Sequence, residues 1–171
     1  KKNLETSKEM IAHFEKYQRE DGLLAGVDDK WNLVDWPENL RDGYDFPLLR
    51  PMDRNSPPHN VINAFFIGAV LKTEEINNIL GIPCEKKSKG LIEAFNRAFL
   101  NADTGLYTDS ESTLHSSLHS NVLPLFYGFC PKNSVGKICG LLLEKGFCCG
   151  VYMSYFVLKA LCKAGRYEDA Y

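Results

Sequence analysis

Residues 59–70 read HNVINAFFIGAV. Val61, Ile62, Phe65, Phe66, Ala69 and Val70 recur at three- and four-residue steps, which puts them on one wide apolar face of a helix. A face this wide predicts a buried helix rather than one that only skims the surface. Asn60 is a candidate cap for its start, because a short polar side chain there can accept from the first free amides. His59-Asn60-Val61-Ile62-Asn63 would also present two side-chain amides at that end.

The same period extends outward in both directions. Met10, Ile11, Phe14 and Tyr17 predict a first helix from Leu4 to about Arg19, broken by Asp21-Gly22. Downstream, Thr73-Glu74-Glu75 predicts a separate short helix through Leu80, closed by Gly81 and Pro83. Further helices are expected over Ser88–Leu100, over Leu114–Phe129, where Pro124 either kinks the helix or falls in the first turn of one that begins later, and over Val135–Lys145. The last, Tyr152–Ala164, carries Val151, Tyr155, Leu158 and Cys162 on one stripe. Asp21-Gly22-Leu23 is echoed by Asp103-Thr104-Gly105-Leu106-Tyr107 and more loosely by Ala164-Gly165-Arg166-Tyr167. The count is about seven helices and no strand, so the fold class is all-α, built of antiparallel α-hairpins with short connections. Periodicity does not choose between an open solenoid and a closed toroid.

Bulk composition excludes several functions. At 171 residues and 44% hydrophobic, the chain can bury the core of one domain. A formal charge of -2, with no run of either sign, predicts no nucleic-acid partner and no anionic membrane surface. No apolar stretch reaches the roughly 18 residues that span a bilayer. Six cysteines show neither zinc spacing nor the density of a disulfide scaffold, and Cys148-Cys149 has no neighbouring His to activate a thiolate. Nucleotide-binding glycine motifs and the Gly-x-Ser-x-Gly elbow are missing, so no cofactor is expected. The chain starts at Lys1-Lys2 without Met and stops in a run, 165–171, that reads like the opening of another helix. Residues 1–171 are therefore expected to be a piece of a longer protein, with the remainder of that protein as a partner and with self-association of the piece.

Residues 22–58 contain Pro37, Pro47, Pro51, Pro57 and Pro58 and predict a long loop, a feature that is more often functional than accidental in a compact domain. Within it, Trp31 to Asp45 gathers four carboxylates, one Arg and three aromatics. That mixture suits a sugar: aromatic faces cover its C–H side while carboxylates, Asn and Arg hydrogen-bond its hydroxyls. The alternative is a solvated loop pinned by a buried tryptophan, with Arg41 paired to Asp42 or Asp45. His115 and His119 lie one helical turn apart, the spacing of two metal ligands, yet no third ligand accompanies them and no metal is expected. Hydrogen bonding into a cleft, or a structural role, are the other readings of the pair.

In order along the chain come Asp35-Trp36-Pro37, Arg41-Asp42-Gly43-Tyr44-Asp45-Phe46 and His59-Asn60-Val61-Ile62-Asn63-Ala64-Phe65-Phe66. Gly105-Leu106-Tyr107-Thr108-Asp109, His115-Ser116-Ser117-Leu118-His119-Ser120-Asn121-Val122 and Gly150-Val151-Tyr152 follow. This succession resembles the bacterial α-L-rhamnosidases, which are six-hairpin glycosidases, from about residue 20 to the end. The resemblance implies an (α/α)6 toroid that binds a terminal rhamnose and cleaves it with inversion, using a Glu acid and a Glu base about 6.5–9.5 Å apart. It places both of those segments outside residues 1–171, so no catalytic residue is expected here. It implies a carbohydrate substrate held by Asp35, Trp36 and Asp45, with His119 and Asn121 as further cavity candidates. Ser120 and Met153-Ser154 depart from the family's usual residues. Two other functions remain open: a non-enzymatic α-helical repeat scaffold that binds a protein partner, and a lyase or different hydrolase on the same toroid.

Overall fold

The apolar face at residues 61–70 belongs to a helix longer than its own pattern suggests. In a computed structural model that describes residues 2–28, 32–46 and 55–170, it runs without a break from Asn60 to Ile79. The polar run that was expected to start a new helix is absorbed instead. Thr73 Oγ1 donates back to the Ala69 carbonyl at 2.9 Å, and Asn77 Nδ2 donates to the Thr73 carbonyl at 2.9 Å. Glu74 is buried because it accepts from the Ser88 amide (3.0 Å) and hydroxyl (2.7 Å) at the start of the next helix. After Leu80, Gly81 takes φ +66°, and the Ile82 amide returns to the Asn77 carbonyl at 2.9 Å, which closes the end.

The described residues form α1 (Lys2–Glu15), α2 (Asn60–Ile79), α3 (Ser88–Phe99), α4 (Leu118–Tyr127), α5 (Lys132–Lys145) and α6 (Val151–Lys163), with 3₁₀ turns at Glu38–Leu40 and Glu168–Ala170. Pairing among them is confined to isolated bridges, so this part of the chain is all-α, six helices rather than seven. α2 packs on α1 and α3, α4 packs on α5 and α6, and α2 meets α4 between the two groups. Every residue of α4 from Leu118 to Leu125 is buried, including His119, Ser120 and Asn121. Phe95, Phe99, Tyr107, Leu123, Ile138, Leu142 and Met153 close around these helices.

α4 starts at Leu118, four residues later than its apolar pattern indicates. Ser117 takes the cap position, accepting from the Ser120 amide at 3.1 Å, while Leu114 is exposed. Pro124 is accommodated inside the helix, which ends three residues later at Tyr127 and is capped by Gly128 with φ +77°. α6 carries apolar residues on two faces. Met153, Phe156, Val157, Ala160 and Leu161 are the buried set, whereas the stripe of Val151, Tyr155 and Leu158 faces outward. Both stripes have helical spacing, so the period alone does not say which one meets α4.

The echoed turns share one device. Gly22 and Gly105 both have positive φ, and two residues later Leu24 and Tyr107 bridge back to the helix end at Gln18 and Leu100. An asparagine from the following long helix then grips each bridge residue. Asn63 accepts from the Leu24 amide (2.7 Å) and donates to the Leu24 (3.0 Å) and His59 (2.9 Å) carbonyls. Asn121 accepts from the Tyr107 amide (2.8 Å) and donates to the Tyr107 (3.0 Å) and Ser117 (2.8 Å) carbonyls. The side chain completes a strand-like pairing that the turn alone leaves half made.

α2 and α4 approach closely at Gly68, where an added Cβ would overlap the Tyr127 ring. Gly68→Ala is expected to lower stability by about 1–3 kcal/mol, seen as a lower urea midpoint with an unchanged slope. Val151→Ser, on the exposed stripe of α6, should change stability by less than about 0.5 kcal/mol.

Candidate functional site

Residues 32–46 cross the N-terminal ends of α4 and α6, and buried carboxylates hold them there. Asp35 Oδ2 accepts from the Gly150 amide ahead of α6 at 2.7 Å and from His119 Nε2 of α4 at 2.9 Å. Its Oδ1 accepts from the Trp36 amide at 2.8 Å. A Cβ on residue 150 would collide with the Asp35 carboxylate, so glycine is required at that contact. Burial pushes the Asp35 carboxyl pKa up, but the bonds from His119, Gly150 and Trp36 outweigh it and leave the pKa below the ordinary carboxylate value. Asp42 accepts from the Leu118 amide at 2.7 Å and pairs with Lys145, at 2.8 Å between Nζ and Oδ2. Negative charge at these two helix starts complements the partial positive charge of the free amides.

Asp42 and Gly43 have φ of +50° and +62°, and the Tyr44 amide donates to the Arg41 carbonyl at 3.0 Å. Two successive positive φ values are the mark of a type I′ turn. The turn aims Asp45 and Tyr44 at Asp109, which is fully buried. Asp109 Oδ2 accepts from the Asp45 amide (2.8 Å) and pairs with His115 Nδ1 (2.6 Å). Oδ1 accepts from the Ser117 amide (3.0 Å) and the Ser120 hydroxyl (2.6 Å). The Asp109 carbonyl takes the Tyr44 hydroxyl proton and the Asn60 amide. With its own proton committed, the Tyr44 oxygen accepts from the Val61 amide (3.1 Å) and lies 2.9 Å from His59 Nδ1, which must then be the protonated nitrogen. His59 also stacks on Phe46, with ring centroids 4.4 Å apart. Burial pushes its pKa down to about 3, against a smaller opposing pull from Asp109.

The candidate residues fall into two groups. Trp36 and Asp45 face outward: Trp36 is 64% exposed and precedes a cis peptide to Pro37, and the exposed Asp45 accepts from the Thr113 hydroxyl. Asp35, His119 and Asn121 direct their bonded groups inward, and Asn121 has every polar atom engaged. Trp31 lies outside the described residues. Arg41 pairs with neither Asp42 nor Asp45; its Nε donates to the Asp35 carbonyl at 2.8 Å. Nor do His115 and His119 share a helical face. His115 precedes α4 and bonds Asp109, while His119 bonds Asp35. Asn60 is the first residue of α2, with His59 at the cap position, and its amide donates to the Thr108 carbonyl.

Two residues of this cluster were not singled out by spacing. Asp109 sits in a run, Thr108-Asp109-Ser110, that looks like any polar turn, and only its burial reveals its role. Gly150 is likewise ordinary until Asp35 is seen against it. The thiol of Cys149, beside the same loop, is pushed up to about 11 by burial, with the Asp35 charge adding to the shift, which disfavours a nucleophilic thiolate.

The family model for the bacterial alpha-L-rhamnosidase 6 hairpin glycosidase domain matches residues 1–168. No curated protein matches the chain.

The buried charges make the cluster acid-sensitive. His59 stays neutral in the folded chain down to about pH 3, whereas an unfolded histidine binds a proton near its ordinary value of 6.5. The unfolded state therefore holds the extra proton between these values, and stability should fall by about 1.4 kcal/mol per pH unit as pH drops through that window. Asp35 adds to the loss below about pH 4, because its lowered folded pKa gives stability that is present above the unfolded value and lost as the carboxylate is protonated. His59→Asn keeps a donor toward Tyr44 and removes the titrating ring; urea midpoints from pH 7 to 5 should flatten in this variant. Asp109→Asn leaves bonded donors without an acceptor and should cost about 1–3 kcal/mol at pH 7.

Proposed function

The chain belongs to the bacterial α-L-rhamnosidase six-hairpin glycosidase family, and we propose that it forms part of the substrate wall of an inverting glycoside hydrolase acting on terminal α-L-rhamnose. The observation that carries this reading is the exposed Trp36 ring held on a loop that two buried carboxylates, Asp35 and Asp109, and the partly buried Asp42 fix in place. A stacking platform gains from such rigidity, because little side-chain or loop entropy is lost when the sugar lands. Asp45, exposed on the same loop, is the candidate acceptor for a sugar hydroxyl. Asp35, His119 and Asn121 act behind these two, as the residues that position the loop and the start of α4.

The arrangement also bears on where the chemistry resides. An acid and a base must be free to exchange protons with substrate and water. Asp35, Asp42 and Asp109 are instead saturated by donors from the fold, and protonating them would loosen the helix starts they hold. The catalytic acid and base of this reading come from outside residues 1–171, and these residues alone are inactive. The six-hairpin toroid, completed by the rest of such an enzyme, would cover the outward stripe of α6; without that cover, the stripe would favour self-association.

L-Rhamnose should quench tryptophan fluorescence in a saturable way, and Trp36→Ala should abolish the quenching while leaving the urea midpoint within about 0.5 kcal/mol. Release of an aryl group from an aryl α-L-rhamnoside should be undetectable with this chain alone. Quenching that persists in Trp36→Ala would remove Trp36 from the site. Turnover by the 171-residue chain would mean that the acid and base lie within it.

A further inference from the structure

His115 differs from the other two described histidines of the cluster in what it leaves available. Its Nδ1 lies 2.6 Å from the Asp109 carboxylate, and its side chain is 37% exposed, whereas His59 and His119 are buried. Asp109 has no other use for its Oδ2 than His115 and the Asp45 amide. As the carboxylate can only accept, the imidazole proton sits on Nδ1, and neutral His115 carries an open lone pair on Nε2. No hydrogen bond to Nε2 is made among the described residues. Residue 43, a glycine at φ +62°, lies beside this edge of the ring, where a Cβ would sit 3.7 Å from Nε2 and from Cε1.

The surroundings supply a second acceptor. The His115 amide donates to Thr113 Oγ1 at 3.0 Å, and the Thr113 hydroxyl donates to the Asp45 carboxylate. One short turn thus ties an oriented imidazole to an exposed carboxylate, and both are tied again through Asp109. Two acceptors carried on one braced turn suit a polyol, whose hydroxyls each have a proton to donate. We propose that His115 is a substrate-contacting residue whose Nε2, oriented by the Asp109 bond on the other ring nitrogen, accepts a hydrogen bond from a hydroxyl of the sugar. The assignment rests on the carbohydrate reading above and extends it to a residue whose spacing had suggested a metal ligand.

Imidazole nitrogen spectra with L-rhamnose as the probe, read beside tryptophan quenching, test it. Saturating sugar should shift the Nε2 resonance of His115 and leave those of His59 and His119 in place. His115→Asn retains an amide that can reach Asp109 and removes Nε2; it should weaken L-rhamnose binding about fivefold, the effect of one hydrogen bond. His115→Phe should weaken binding at least as much. If quenching saturates normally while the His115 resonance and the affinity of His115→Asn are unchanged, His115 is only a brace for Asp109, and the carbohydrate reading stands without it. If neither L-rhamnose, D-glucose nor D-galactose quenches fluorescence, the carbohydrate reading falls and this assignment with it. Should His115→Asn fail to fold, the wild-type spectrum decides alone.

Discussion

The Asp109 carboxylate is the point on which the candidate site depends. It is wholly buried, and its two oxygens accept from a loop amide, a helix-start amide, a serine hydroxyl and an imidazole. A charge in this position is tolerable only while those donors stay in place, because an unpaired buried carboxylate costs several kcal/mol. The requirement runs both ways. The donors come from residue 45 and from residues 115–120, so satisfying one charge fixes the loop, the turn and the first residues of α4 together.

Asp35 and Asp42 repeat the principle at the edges of the same loop. Each lies at a helix start, where free amides and the helix dipole favour negative charge, and each takes a second donor from a side chain, His119 or Lys145. Carboxylates that in isolation suggest acid-base chemistry have their oxygens bonded within the fold. What they leave facing outward is a smaller set: the Trp36 ring, the Asp45 carboxylate and one edge of His115.

The long helices carry a second layer of organisation. Asn63 and Asn121 each complete the backbone pairing of a glycine turn, and each also bonds the carbonyl four residues before it. Successive hairpins are joined by the same polar clasp, set between apolar surfaces that exclude water from it. The third glycine turn, at Gly165, shares the positive φ, but among the described residues no asparagine grips the Tyr167 that follows it.

Helix class, though not the helix count, was legible in the sequence because apolar spacing and glycine stops are local properties of neighbouring residues. Residues 61–70, the echoed turns at Gly22 and Gly105, and the family resemblance all point to one all-α hairpin fold without reference to anything distant. Boundaries failed where a distant partner overruled the local pattern. Thr73-Glu74-Glu75 reads as a helix start until Ser88 is present to receive Glu74, and Leu114 reads as helix until Asp109 draws residues 115–117 into its own bonds. The face of α6 that is buried, the inward turn of Asp35, His119 and Asn121, and the outward turn of Trp36 and His115 depend on residues as many as 115 positions apart, as in the bond from Gly150 to Asp35. Spacing along one helix says which side chains share a face, and only packing against the others decides whether that face meets protein or solvent.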